Sequence, residues 1–160
     1  MRQSLPVVAL CLLLTGAFLS PLAQADDASV NARLTARGIK FEVDADGDYK
    51  VTYSYKKEGR SQLVFVSGKT EQVGEFKIRE IFSPAGRVAK DGISGAKALE
   101  FLKESRLNKL GSWELSGDIL YFVIKMPDNM DSAQLESAMD IAAETADDME
   151  LELSGDRDDL

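Results

Sequence analysis

"QLVFV", residues 62 to 66, is apolar on both faces of any strand it forms, with Leu63 and Phe65 on one side and Val64 and Val66 on the other. A half-buried strand alternates apolar and polar positions, so a run of this kind marks a central strand. "ILYFVIKM", residues 119 to 126, repeats the pattern, setting Ile119, Tyr121 and Val123 against Leu120, Phe122 and Ile124. These two runs place a sheet at the centre of the molecule, and the remaining segments read as its neighbours and its cover.

Working upstream, Tyr49, Val51, Tyr53 and Tyr55 alternate with Lys50, Thr52, Ser54 and Lys56, and Ile39, Phe41 and Val43 alternate with Lys40 and Glu42. The two stretches predict half-buried strands joined through the aspartates Asp44, Asp46 and Asp48. A calcium loop beginning at Asp44 needs glycine at its sixth place and a bidentate glutamate at its twelfth, but those places hold Tyr49 and Tyr55. Asp46-Gly47 instead supplies what a tight turn requires, so no metal is expected there. Ahead of this hairpin, Asp27 caps a helix over 28–37 with Val30 and Leu34 one turn apart, and Gly38 stops it.

Downstream, Glu58-Gly59 turns into the central strand. Beyond the polar stretch 67–74, Phe76, Ile78 and Phe82 predict a fourth strand. It is expected to end at "SPAGRVAKDGISG", residues 83 to 95, where proline and glycines interrupt regular structure. Ser94 opens a helix to about Leu107 with Ala98, Leu99, Phe101 and Leu102 on its buried side. Trp113 to Leu115 and Ile119 to Met126 form a second hairpin around Ser116-Gly117-Asp118. Asp131-x-x-Gln134 reads as a capping box before a terminal helix carrying Leu135, Met139, Ala142, Ala146 and Met149. The expectation is an α+β fold: one antiparallel sheet of about five or six strands packed with three helices, in the order α-β-β-β(-β)-α-β-β-α.

The composition narrows the chemistry. Arg2, the apolar run Leu5 to Leu19 and Ala23-Gln24-Ala25 read as an export signal over 1–25, which predicts a periplasmic or secreted protein with no stable membrane span once cleaved. Residues 26–153 then form a single domain, and 154–160 an acidic tail. Cys11 is the only cysteine and lies in the apolar run, so the exported chain has no thiol and no disulfide to stabilise it. The chain contains no histidine, which excludes Ser-His-Asp and Cys-His catalysis and His-ligated zinc. Residues 26–130 carry 16 acids and 17 bases, whereas residues 131–160 carry 11 acids against the single base Arg157. That acidic end argues against nucleic acid and against anionic lipid as partners.

"GIKFEVDADGDYKV" at 38–51, "NKLGSWELSGDILYFVIKMP" at 108–127 and the helix end "ADDMELEL" at 146–153 together resemble the YbjN-like family, whose fold is similar to type III secretion chaperones. The resemblance runs from about Val30 to Leu153 and is one of pattern and order. It implies a small α+β domain acting in protein interaction or regulation, with no catalytic residues to carry over. The export signal and the stretch 67–82 are additions to that pattern.

Candidate site residues follow from what this layout leaves uncovered. If all helices lie on one face, Val64, Val66 or their counterparts form an apolar patch suited to a partner or to a second copy of the chain; otherwise a helix crosses to the second face. Tyr53, Tyr55 and Trp113 offer aromatic contact area, or else belong to the core face. Asp147 and Asp148 sit where a helix dipole is already negative; they read first as a solvated face kept for solubility, and otherwise as charge answered by a basic partner, by loosely held divalent ions or by Lys56, Lys57 and Arg60 of the same molecule. The reading is therefore an exported, non-enzymatic protein-binding module, with no cofactor expected and a homodimer as one form of partnership. The alternatives are a small carboxylate-dependent envelope hydrolase drawing on Asp44, Asp46, Glu80 or Glu114, none of which pairs by spacing, and a soluble cation- or small-ligand-binding protein.

Overall fold

The computed structural model describes residues 28–57 and 59–155. The export signal, the cap at Asp27, Glu58 of the predicted turn and the tail beyond residue 155 lie outside the described residues. In chain order the elements are α1 (Ala28–Ala36), β1 (Glu42–Val43), β2 (Tyr49–Tyr55), β3 (Arg60–Val66), β4 (Glu71–Val73), β5 (Phe76–Arg87), α2 (Gly95–Leu107), β6 (Ser112–Ser116), β7 (Ile119–Pro127) and α3 (Ser132–Ser154). The strands make one seven-stranded sheet in the order β1-β2-β3-β5-β7-β6, with β4 pairing β5 off that path. Every pairing is antiparallel. The expected α+β architecture is the observed one, and the short β4 adds a ribbon where the sequence reads as a polar connection.

The aspartate cluster builds the β1–β2 corner. Asp44 Oδ1 accepts the backbone N–H groups of Asp46 (2.9 Å) and Asp48 (3.0 Å), an aspartate turn in which the side chain replaces a backbone acceptor. Gly47 takes φ +88°, open to glycine at no steric cost. Asp48 Oδ1 accepts from Gly68 N at 2.9 Å and pulls the β3–β4 connection so close that a Cβ at Gly68 would lie 1.9 Å from Gly47 O. Among the described residues no group of three or more acidic or sulfur ligands gathers as a metal site would need.

The fourth strand runs further than its sequence predicts. β5 continues through Pro84 and Gly86 to Arg87, with a register shift between those two residues against β7. Proline lacks the N–H a central ladder needs, and β5 tolerates it because it pairs β3 only at Phe65↔Phe82 and Val66↔Ile81 before the two strands diverge. Side chains bridge the gap: Gln62 Nε2 donates to Ser83 Oγ (2.8 Å) and Pro84 O (2.6 Å), and Ser83 Oγ donates to Leu63 O (2.6 Å).

One core lies on one face of this sheet. It joins Tyr49 and Val51 of β2, Val64 and Val66 of β3, Ile81 and Ala85 of β5, and Leu120, Phe122 and Ile124 of β7 to Val30 and Leu34 of α1, Phe101 of α2 and the inner row of α3. α3 provides Leu135, Met139 and Met149 together with Ala138, Ala142, Ala143 and Ala146, small residues that let the helix axis approach the strands. Its entry is fixed by the expected capping box: Gln134 N donates to Asp131 Oδ1 (2.8 Å) and Asp131 N donates to Gln134 Oε1 (2.9 Å). Among the described residues no helix crosses to the other face, and none is long and apolar enough to span a membrane.

Candidate functional site

The strand residues of opposite parity define the uncovered face. Cross-strand partners share a face, so Phe65 and Phe82, which are paired, stand together with Val123, paired to Phe82, and with Leu63 and Tyr121 one step along their strands. Phe65 and Phe82 stack with ring centroids 5.2 Å apart at 9°, and Phe82 meets Tyr121 edge-on at 5.8 Å. The three rings make a continuous aromatic row across β3, β5 and β7. Beside it a groove of about 380 Å³ is lined by Phe82, Tyr121, Val123, Glu80, Glu114 and Ser116. Burial pushes the Tyr121 hydroxyl above its ordinary range, with Arg87 opposing it, which fits a ring sunk among neighbours on an otherwise open face.

Charge frames the row. Lys125 Nζ lies 2.9 Å from Glu114 Oε1 and 3.4 Å from Glu80 Oε1. The hydrogen bond from Lys125 to Glu114 outweighs desolvation and holds the ammonium group above its ordinary pKa. Glu80 and Glu114, two of the carboxylates a hydrolase would draw on, are thus bridged by one lysine on a shallow, solvent-open surface. Asp44 is occupied as the acceptor of the β1–β2 turn.

The residues that sequence singles out fall elsewhere. Val64 and Val66 are fully buried beneath α3, so their counterparts Leu63 and Phe65 face outward. This corrects the face, because a period of two defines both sides of a strand without saying which side the helices cover. Tyr53 and Tyr55 lie on the covered side, as their alternation with Lys50, Thr52 and Ser54 allows; Tyr53 Oη donates to Asp140 Oδ1 at 2.8 Å, and burial first, then this bond, raises its pKa. Trp113 is buried between α2 and the sheet, 5.9 Å from the Phe101 ring and 5.1 Å from that of Phe122, with Nε1 donating to Glu104 Oε2 at 3.0 Å. Asp147 is only 6% exposed and accepts from Arg60 Nη2 at 2.7 Å, so the molecule answers that charge internally. Asp148, its neighbour, is exposed.

α2 departs from its predicted packing. Phe101 is its buried anchor, whereas Leu99 is 60% and Leu102 64% exposed. The helix covers an edge strand and meets it through Phe101 and Ser105, whose Oγ accepts from Trp113 N at 2.9 Å, so one narrow side suffices. Leu107, Leu110 and Leu115 are exposed around the same helix, and an apolar groove of about 240 Å³ runs between Ala98, Leu102, Leu115 and Leu120. A second groove, of about 280 Å³, opens between the ends of α2 and α3 and is lined by Leu107, Trp113, Met149, Glu104, Asp148 and Glu152. The sheet thus has an aromatic face that no described helix covers, and the covered side has a leucine flank and an acid-rimmed groove.

No known family's sequence profile matches the chain, and no curated protein matches it. Among solved structures it is similar to the Yersinia pestis type III secretion chaperone SycH, crystallised in complex with a stable fragment of YscM2. The TM-score is 0.51 at 17% identity, over 81% of this chain and 100% of that one. The fold is similar to that of that chaperone. At this identity the likeness speaks for the architecture of helices on one side of an antiparallel sheet.

Proposed function

We propose that this chain is an exported, YbjN-like, non-enzymatic protein-binding module that holds a segment of another protein on the uncovered face of its sheet. The observation that carries the reading is the one-sided helix cover, which leaves the half-buried row Phe65–Phe82–Tyr121 and the adjoining Leu63 with no helix over their outer surfaces. Contiguous apolar surface of this kind is unusual on a monomer and characteristic of an interaction site, with aromatic rings as its anchors. The chaperone with a related fold has been solved with a protein fragment bound, which supports the same class of role here. Periplasmic location rests on the N-terminal leader. A second copy is proposed at the leucine flank of α2, since Leu99, Leu102 and Leu115 are too exposed to serve this molecule's own core.

The test is crosslinking of the exported chain in its own envelope, followed by mass measurement of the adducts. The parent should yield a discrete adduct, and Phe82→Ser combined with Leu63→Ser should abolish it while leaving the α2-dependent self-association unchanged. An adduct that survives this double substitution and disappears with Leu102→Asp would move the partner site off the sheet.

A further inference from the structure

The groove between α2 and the end of α3 is independent of the sheet face, and its construction selects an occupant. Its floor is apolar and aromatic, formed by Leu107, Trp113 and Met149, and its rim is acidic, formed by Glu104, Asp148 and Glu152. The rim continues up the helix. Asp140, Glu144, Asp148 and Glu152 recur every four residues, a stripe of roughly 18 Å at the helical rise, and α3 contains no basic residue to interrupt it. Like charges one turn apart repel, and the stripe runs into the helix C-terminus, where the dipole is already negative.

Part of this charge is answered within the molecule. Arg60 pairs with Asp147 and Glu150 on the inner side, Tyr53 binds Asp140, and Lys97 pairs with Glu152. The side chains of Glu144 and Asp148 have no hydrogen bond or ion pair among the described residues, and Asp148 stands on the rim of the groove. Beside it the Trp113 indole is fixed by its N–H bond to Glu104, so that the ring lines the cavity in a set orientation.

We propose that this groove receives a lysine- or arginine-bearing segment of a partner protein. The aliphatic stem of such a side chain lies along Leu107 and Met149, and the cationic head reaches Asp148 and the stripe above it. A neutral apolar segment would bury Asp148 without a counterion, and an acidic one would be repelled, so complementarity excludes both. The groove and the aromatic row are separate surfaces, and one protein carrying an apolar and a basic segment could engage both.

Trp113 is the only tryptophan, so its emission reports this groove directly. The full chain is titrated with a short peptide alternating leucine and arginine, and with the same peptide carrying glutamate in place of arginine. The arginine peptide should shift the emission saturably and the glutamate peptide should not. Asp148→Lys should weaken the arginine peptide by about tenfold or more, while Glu71→Lys on β4, which changes net charge equally, and Phe82→Ser on the open face should leave it bound. An equal response to both peptides, or undiminished binding by Asp148→Lys, overturns the assignment.

Discussion

Asp128→Ala is expected to destabilise the chain by roughly 3 kcal/mol or more, because it strips the counterion from a buried guanidinium. Asp128 Oδ1 accepts from Arg79 Nε at 2.6 Å and from Arg33 Nη2 at 3.0 Å. The Arg79 side chain is fully buried, and it also donates to Ser67 O. Arg33 extends the network to the backbone oxygens of Asp128 (3.3 Å) and Met130 (3.2 Å), fastening α1 to the passage from β7 into α3. Without the carboxylate, the buried Arg79 guanidinium loses an ion-pair partner and Arg33 loses its charged anchor while keeping its backbone ones, so the denaturation midpoint should fall.

The same network has a pH signature. Burial alone would raise the Asp128 carboxyl, but the hydrogen bonds from Arg79 and Arg33 outweigh it and the net shift is downward. A carboxyl whose folded pKa lies below its unfolded value contributes stability above the unfolded value, about 3.9, and loses it as pH falls through the lower, folded one. Parent stability should therefore decline below about pH 4 by an amount that Asp128→Asn does not show. Parallel acid titrations of parent and variant would contradict the network's role.

The second large effect is expected at Arg60. Its Nη2 lies 2.7 Å from Asp147 Oδ1 and 3.4 Å from Glu150 Oε2, and none of the three side chains is more than 9% exposed. Arg60→Met leaves two carboxylates under α3 with their cation gone, at a cost of about 3–5 kcal/mol. Adding Asp147→Asn and Glu150→Gln to Arg60→Met removes the stranded charges and should recover part of that loss, a non-additivity that a mutant cycle measures. Hydrogen exchange should show the last turns of α3 opening first in Arg60→Met. A triple variant no more stable than the single one would show that the cluster is not a coupled unit.

Much of the fold is legible in the residues. The alternation at 49–55 assigns Tyr49 and Val51 to the core, the two-sided run at 62–66 does mark an interior strand, and Asp131 with Gln134 does cap α3. What is not legible depends on partners distant in the chain. Arg60 and Gln62 share the covered side with Val64 and Val66, and their polarity there makes sense only once Asp147, Glu150 and Ser83 are brought opposite them. Pro84 reads as a strand breaker, yet β5 passes through it because β3 has already turned away. Leu99 and Leu102 read as core, since helical spacing cannot tell an inward leucine from one presented to a neighbour. The aromatic row escapes sequence reading altogether, because Phe65, Phe82 and Tyr121 become neighbours only through the sheet register.

The sheet is covered by helices on one side and available on the other. With Cys11→Ser as background, single cysteines are placed at positions 63, 64, 65 and 66 and their labelling rates by a water-soluble maleimide are measured in the purified chain and in the intact envelope. Labelling should be fast at 63 and 65 in the purified chain and slow at 64 and 66, and 63 and 65 should be shielded in the envelope. Fast labelling at 64 and 66, or positions 63 and 65 as reactive in the envelope as in isolation, would contradict it.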